Sequence, residues 1–71
     1  MSIFGENLYL YRTQEKLTQK QLADKLGLSA NNIGHWEKGR TEPDIKTIIK
    51  LADIFDVTTD DLLGREAKKL D

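Results

Sequence analysis

The stretch LTQKQLADKLGLSANNIGHWEKGR, residues 17–40, decides the fold because it reads as two short helices joined by a tight turn. A capping box begins the first helix, since the Thr18 hydroxyl can accept from the backbone of Gln21 while the Gln21 side chain reaches back. Gly27 favours the left-handed conformation that ends a helix. Ser29 is a good N-cap for the next helix. The stretch therefore predicts two helices that meet at Gly27.

The second helix of this pair, which we expect to run to Lys38 and stop at Gly39, has two different faces. Ile33 and Trp36 lie at i and i+3, so both can fasten the helix to the core. The small side chain of Ala23 lets the second helix cross the first closely. The opposite, outward stripe is small and polar and consists of Ala30, Asn31, Gly34, His35 and Lys38.

This outward stripe is small and polar, which would suit base reading if the helix lay in a DNA groove. When a helix lies in the major groove, its first-turn residues meet base edges, where short side chains and amide or imidazole groups suit readout. Gly34 lowers helix stability by roughly 1 kcal/mol relative to alanine, and it either makes room for DNA or is a neutral position. His35 has no second histidine, cysteine or nearby nucleophile, so DNA contact is favoured over metal binding or catalysis.

Apolar residues at helical spacing continue on both sides of the pair. The first helix of the chain carries Phe4, Leu8 and Tyr11. A fourth helix opens at Pro43 and Asp44. One side of that helix is expected to be lined by Ile45, Ile48, Ala52 and Phe55.

A second capping box, Thr58 with Asp61, begins a short fifth helix that ends at Gly64. The sequence therefore predicts an all-α domain of five helices over residues 1–64. Residues 65–71 are expected to be a C-terminal tail or the start of a linker.

Composition limits what this domain can be. A chain of 71 residues makes at most one domain with a small core. The absence of cysteine excludes disulfides and cysteine-based metal sites and is typical of a reducing compartment, so we expect a cytoplasmic protein. We also expect no cofactor and no metal. No apolar run approaches the roughly 20 residues of a membrane-spanning helix.

Charge is distributed unevenly along the chain. Residues 12–50 carry eight bases and five acids, net +3, whereas residues 51–71 carry three bases and six acids, net −3. A basic middle favours a surface that faces a polyanion, although scattered charges also keep any small domain soluble.

Three segments carry a resemblance to a known family, and they are LTQKQLADKLGLS, WEKGRTEPD and LADIFDVTTDDLL. The chain from Phe4 to Gly64 resembles the helix-turn-helix domain of phage lambda-type repressors and Cro proteins, the XRE-like family. This resemblance implies a lambda-repressor-like fold in which helices 2 and 3 form the helix-turn-helix. It also implies double-stranded DNA as the partner.

The resemblance implies a role for each matching residue. Bases are read from Ala30, Asn31, Gly34 and His35. Phosphates are held by Gln19, Asn32, Lys38 and Arg40. The residues with structural roles are Arg12, Glu37, Ala23, Gly27, Ile33 and Trp36. Arg12 and Glu37 are expected to form a partly buried salt bridge, with an exposed pair as the alternative.

We expect a transcriptional regulator, more a repressor than an activator, that binds a palindromic operator as a homodimer and performs no chemistry. The alternative is an antitoxin or protein-interaction module with secondary DNA binding. A further C-terminal domain or protein partner is left open.

Two departures from the family pattern add expectations. Lys16 stands where a glycine often ends the first helix, so this turn needs a left-handed residue or a different construction. Tyr9 and Leu10 are apolar where the family is usually polar. Dimerisation is therefore expected through these two residues or through a second set, Ile54, Leu62, Leu63 and Leu70.

Overall fold

The computed structural model describes residues 3–64, and within that range the chain forms five α-helices and no strand. The helices are α1 (Ile3–Gln14), α2 (Gln19–Leu26), α3 (Ala30–Glu37), α4 (Ile45–Phe55) and α5 (Thr59–Leu63). The predicted all-α fold is confirmed, with α2 and α3 forming the helix-turn-helix pair. The predicted tail, residues 65–71 with Leu70, lies outside the described residues.

Local signals set the ends of α2 as predicted. The Thr18 hydroxyl accepts from the Gln21 N–H at 3.0 Å, and the Thr18 N–H donates to Gln21 Oε1 at 2.8 Å. Gly27 ends the helix in the left-handed conformation, with φ 70°. The second expected capping box, Thr58 with Asp61, is also present at the start of α5.

The boundaries of α3 differ from the prediction in two details. Its last helical residue is Glu37, with Lys38 as the C-cap and Gly39 at φ 74°. Ser29 has the backbone conformation of an N-cap, but its hydroxyl donates to Asn32 Oδ1 at 2.7 Å instead of capping the helix.

The inner face of α4 differs from the prediction at one residue. Asp44 is the N-cap, so Ile45 lies in the first turn of the helix, and its side chain is 76% exposed. Leu51, two turns further on, is fully buried in its place. The first turn extends beyond the edge of the core, and helical spacing alone does not show where the core ends.

One apolar core holds the helices together. It is made of Phe4, Leu8, Leu22, Ala23, Ile33, Trp36, Leu51, Ala52, Phe55 and Leu62. Trp36 is buried beside Ile33, as expected for core residues. Leu62 is completely buried, so its predicted place on a dimer surface is wrong, because a side chain that fills the core cannot contact another subunit.

Helix α1 packs closely across α3 at Gly5. A Cβ atom at this position would lie 2.6 Å from the carbonyl oxygen of Glu37 and 2.7 Å from that of Trp36. Only glycine permits this approach. At the other end of the bundle, Asn7 Nδ2 donates to the carbonyl oxygen of Leu62 at 3.2 Å, which ties α1 to α5.

The turn from α1 to α2 is built on a left-handed lysine. Lys16 has φ 57°, one of the two alternatives predicted for this position. The N–H of Lys16 donates to the carbonyl oxygen of Thr13, and that of Leu17 to the carbonyl oxygen of Arg12. The turn therefore keeps the hydrogen bonds of a glycine-ended helix while carrying a side chain.

None of the helices between residues 3 and 64 is long and apolar enough to cross a membrane.

Candidate nucleic-acid interface

The outward face of α3 borders a shallow depression of about 270 Å³. Its lining consists of Gln19, Ala30, Asn31, Gly34, His35, Lys38 and Arg40. The fold therefore brings together every residue predicted to contact DNA except Asn32. Three elements contribute, because α2 supplies Gln19, α3 supplies the central residues and the following turn supplies Arg40.

Two polar side chains in this depression are directed away from the rest of the protein. Asn31 and His35 lie one turn apart on α3, and both are exposed. Neither side chain hydrogen-bonds to any other residue between 3 and 64. The carboxamide of Asn31 and the imidazole of His35 thus keep their donors and acceptors for a ligand.

Asn32 lies apart from this group. It is half-buried, and its Oδ1 accepts from the Ser29 hydroxyl at the start of α3. Its side chain is therefore already used in part by the protein. The amide nitrogen keeps its two donors.

Positive charge stands at one end of the depression. Lys38 and Arg40 flank Gly39, whose left-handed backbone turns the chain at the end of α3. The Arg40 N–H donates to the carbonyl oxygen of His35 at 2.9 Å, which fixes the turn against the helix. Both basic side chains are exposed and form no ion pair within residues 3–64. These two charges suit an anionic partner.

The salt bridge expected between Arg12 and Glu37 is present beside this surface. Arg12 Nε donates to Glu37 Oε2 at 2.6 Å and Arg12 Nη2 donates to Oε1 at 3.1 Å. The side chains retain only 11% and 8% of their exposure. Arg12 Nη1 also donates to the carbonyl oxygen of Leu17, so one guanidinium links α1, the turn and α3.

A third residue joins this pair, and the sequence alone does not predict it. Gln19 Nε2, in the first turn of α2, donates to Glu37 Oε1 at 3.1 Å. The two residues are 18 positions apart, and no local pattern links them. The sequence shows only that Gln19 begins the first helix of the pair and that Glu37 ends the second.

Gly34 lies under the Gln19 side chain. A Cβ at Gly34 would be 3.6 Å from Gln19 Oε1 and 3.7 Å from Nε2, which is ordinary van der Waals contact. The bare backbone of α3 thus faces a protein amide on one side and the depression on the other. The protein itself does not require glycine here.

No group of histidine, cysteine, aspartate and glutamate within the described part of the chain is arranged to hold a metal ion. The chemistry available at this surface is hydrogen bonding and charge. It can bind a polyanion that carries ordered donors and acceptors.

Comparison with known proteins identifies this arrangement. The helix-turn-helix family model HTH_3 matches residues 8–62. The uncharacterized HTH-type transcriptional regulator YqaE of Bacillus subtilis is 45% identical over 67 residues, which cover 94% of this chain and 58% of YqaE. The chain thus spans little more than half of that relative.

Two solved structures have the same fold. A transcriptional regulator from Listeria innocua matches with a TM-score of 0.85 and 30% identity, covering 94% of this chain and 63% of that one. The P22 c2 repressor, crystallised with a synthetic operator, matches with a TM-score of 0.83 and 27% identity, covering 93% of this chain and all of that one. The predicted lambda-repressor-like fold is confirmed.

Proposed function

Because the chain belongs to the helix-turn-helix family of transcriptional regulators, we propose that it binds a palindromic operator as a homodimer and represses transcription. The observation that carries this proposal is the depression on α3, where exposed polar side chains adjoin two exposed basic residues. DNA requires both features, since phosphates give affinity and base edges give specificity.

In this proposal, base edges are read from the small and polar residues of α3, namely Ala30, Asn31, Gly34 and His35. Asn31 is the central reader, because a carboxamide donates and accepts at once and matches N6 and N7 of adenine. His35, one turn later, extends the reading surface along the groove. Ala30 and Gly34 keep the backbone of α3 close to the bases.

The DNA backbone is held by Gln19, Lys38 and Arg40, which line the depression, and by Asn32, which lies outside it. Lys38 and Arg40 supply charge. Gln19 and Asn32 supply amide donors near the N-termini of α2 and α3, where the helix dipole also favours an anion.

A homodimer would place one α3 helix in each of two successive major grooves, roughly 34 Å apart. The P22 c2 protein, which shares this fold, is a repressor crystallised in complex with an operator, and this supports operator binding by the present chain. Exposed apolar residues available for a subunit contact include Tyr9, Leu10 and Leu63. Ile54, half-buried, stays in the proposed set.

The proposed site of action is the cytoplasm, where an operator-bound dimer blocks access to a promoter.

One observation favours a second function. Tyr9 and Leu10 are 51% and 52% exposed on adjacent positions of α1, as a protein-interaction module such as an antitoxin requires.

Selection of binding sites from random duplex DNA tests the proposal. We expect enrichment of a palindrome with half-sites one helical turn apart, about 10 base pairs. Enrichment of a single unpaired half-site would show that the chain binds DNA as a monomer. No enrichment at low salt, where phosphate contacts are strongest, would favour the protein-interaction module.

A further inference from the structure

The carboxamide of Gln19 is held in one orientation by a residue that belongs to the fold. Glu37 Oε1 receives hydrogen bonds from both Gln19 Nε2 and Arg12 Nη2, each at 3.1 Å. Because a carboxylate only accepts, the nitrogen end of the amide must face Glu37. The Gln19 amide therefore cannot turn over without losing this bond.

The opposite surface of the same amide faces the backbone of α3 at Gly34. A Cβ at Gly34 would lie 3.6 Å from Gln19 Oε1 and 3.7 Å from Nε2, so the glycine leaves room for about one methyl group beside the amide. The amide is thus held at its nitrogen end by Glu37 and lines the depression proposed to receive DNA. One N–H and the carbonyl oxygen stay available to a ligand.

We infer that Glu37 is a positioning residue, which holds the Gln19 carboxamide ready for a DNA contact that Glu37 itself does not make. This inference rests on the proposed function. Arg12 is part of the device, because its guanidinium neutralises a carboxylate that would otherwise repel the phosphates nearby. An amide already held in place loses less conformational freedom on binding than a free one.

A double-mutant cycle on operator affinity separates positioning from a general structural role. Gln19→Ala removes the contact and is expected to weaken binding about tenfold per half-site, the effect of one charge-assisted hydrogen bond. Glu37→Ala should weaken binding by a similar factor in the wild-type chain. In the Gln19→Ala background, the same Glu37 change should have less than about a twofold effect.

The variant Glu37→Ala leaves the Arg12 charge unpaired and can unfold the domain. The double variant Arg12→Met/Glu37→Met avoids this, since replacing both members of a buried pair by apolar residues is often neutral for stability. This double variant still removes the Glu37 acceptor of the Gln19 hydrogen bond. It should therefore weaken operator binding in the wild-type background but not in the Gln19→Ala background. Gln14→Ala, at an exposed glutamine on α1, is the control and should leave affinity unchanged.

Nuclear magnetic resonance of the free protein gives a second measurement. The side-chain order parameter of Gln19 should be high in the wild type and fall to that of Gln14 in Arg12→Met/Glu37→Met. Equal losses of affinity in both backgrounds, or an unchanged order parameter, would overturn the positioning role. If the wild type selects no operator at all, the proposed function itself fails, which is a different result.

Discussion

Arg12 and Glu37, 25 residues apart in the chain, meet through two parallel hydrogen bonds that fix the end of α3 against α1. Paired hydrogen bonds between a guanidinium and a carboxylate fix the relative orientation of the two side chains as well as the distance between them. The orientation of the proposed recognition helix is therefore set at two levels. Trp36 and Ile33 hold its inner face, and this pair holds its last turn.

Removing one partner of the pair should be costly. Glu37→Ala leaves the Arg12 charge largely buried, so we expect the free energy of unfolding to fall by about 3 kcal/mol in urea titrations. Asp24→Ala is the control, because its pair with Lys20 is 63% and 78% exposed. That change should cost about 0.5 kcal/mol or less. Similar losses in both variants would show that the Arg12 pair behaves as a surface pair.

Lys16→Gly should stabilise the domain. An L-residue in the left-handed region costs about 1–2 kcal/mol, and the greater freedom of glycine in the unfolded chain offsets about 0.5–1 kcal/mol of the gain. We expect a net increase of about 0.5–1 kcal/mol in the free energy of unfolding. Asp56→Gly, at φ 56°, should gain less, because aspartate tolerates this conformation better. A loss of stability in Lys16→Gly would contradict the prediction.

Stability should depend on the ionisation of Asp44. Hydrogen bonds from Thr47, first from its side chain and then from its backbone N–H, lower the pKa of the Asp44 carboxyl below its usual 3.8, with smaller effects from Lys46 and Lys50. A carboxyl whose pKa is lower in the folded state stabilises the protein above its unfolded pKa. This contribution is lost as the pH falls through the folded value.

Asp44→Asn tests this dependence, because asparagine keeps a capping side chain without the charge. The wild type should be the more stable protein at about pH 6, and the difference should shrink as the pH falls through the lowered pKa of Asp44 in the folded state. Thermal unfolding across this range measures it. Asp53→Asn, on the same helix, is the control. A difference that stays constant with pH would mean that only the cap matters.

Gly34→Ala should raise stability, since alanine is the better helix former by about 1 kcal/mol and its Cβ finds ordinary contact with Gln19. If the space serves close approach of DNA, operator affinity should fall in the same variant. A more stable protein with unchanged affinity would remove Gly34 from the proposed base-reading set.

Gly5→Ala is the matched comparison, because its Cβ would meet the backbone carbonyls of Trp36 and Glu37 at less than 3 Å. It should destabilise the fold by about 1–3 kcal/mol. Replacement by alanine is thus expected to raise the stability of the domain at Gly34 and to lower it at Gly5.

Asn31→Ala should weaken operator binding by about 1–3 kcal/mol per half-site and leave random DNA nearly unaffected, because only a bidentate base contact discriminates in this way. Fluorescence anisotropy on both duplexes measures the difference, with circular dichroism to show that the fold is intact. Equal loss on operator and random DNA would place Asn31 on a phosphate.

Arg40→Ala supplies the contrasting behaviour. If Lys38 and Arg40 each neutralise one phosphate in both subunits, the slope of log affinity against log salt is about −3.6, and the variant should halve it to about −1.8. The variant should lose a similar amount of affinity on operator and on random DNA, because phosphates carry no sequence information. An unchanged slope would identify Arg40 as a solvated loop residue.

The predictable part of this fold is the part encoded within a few residues. The capping box of Thr18 and Gln21 and the left-handed Gly27 act over one turn, so their geometry follows from the sequence alone. The exposure of Ile45 could not be foreseen, because it depends on where neighbouring helices end. The bond from Gln19 to Glu37 depends on the crossing of α2 and α3.

The outward position of the proposed reading residues is predictable for a related reason. Once Ile33 and Trp36 are assigned to the core, the helical period places Asn31 and His35 on the outer face. That inference uses periodicity and needs no tertiary detail. The hydrogen bond from Ser29 to Asn32, which partly occupies a side chain predicted to contact phosphate, does not follow from periodicity.

Asn31 and His35 are exposed, and neither side chain forms a hydrogen bond with another residue in 3–64, so the chemistry of this surface can be changed separately from the fold. Neither residue belongs to the core, so a library randomised at these two positions samples new surface chemistry at little expected loss of stability. If the proposed function holds, such a library is a source of regulators with altered target sequences. Gly5 and the Arg12–Glu37 pair would be the invariant frame on which they are built.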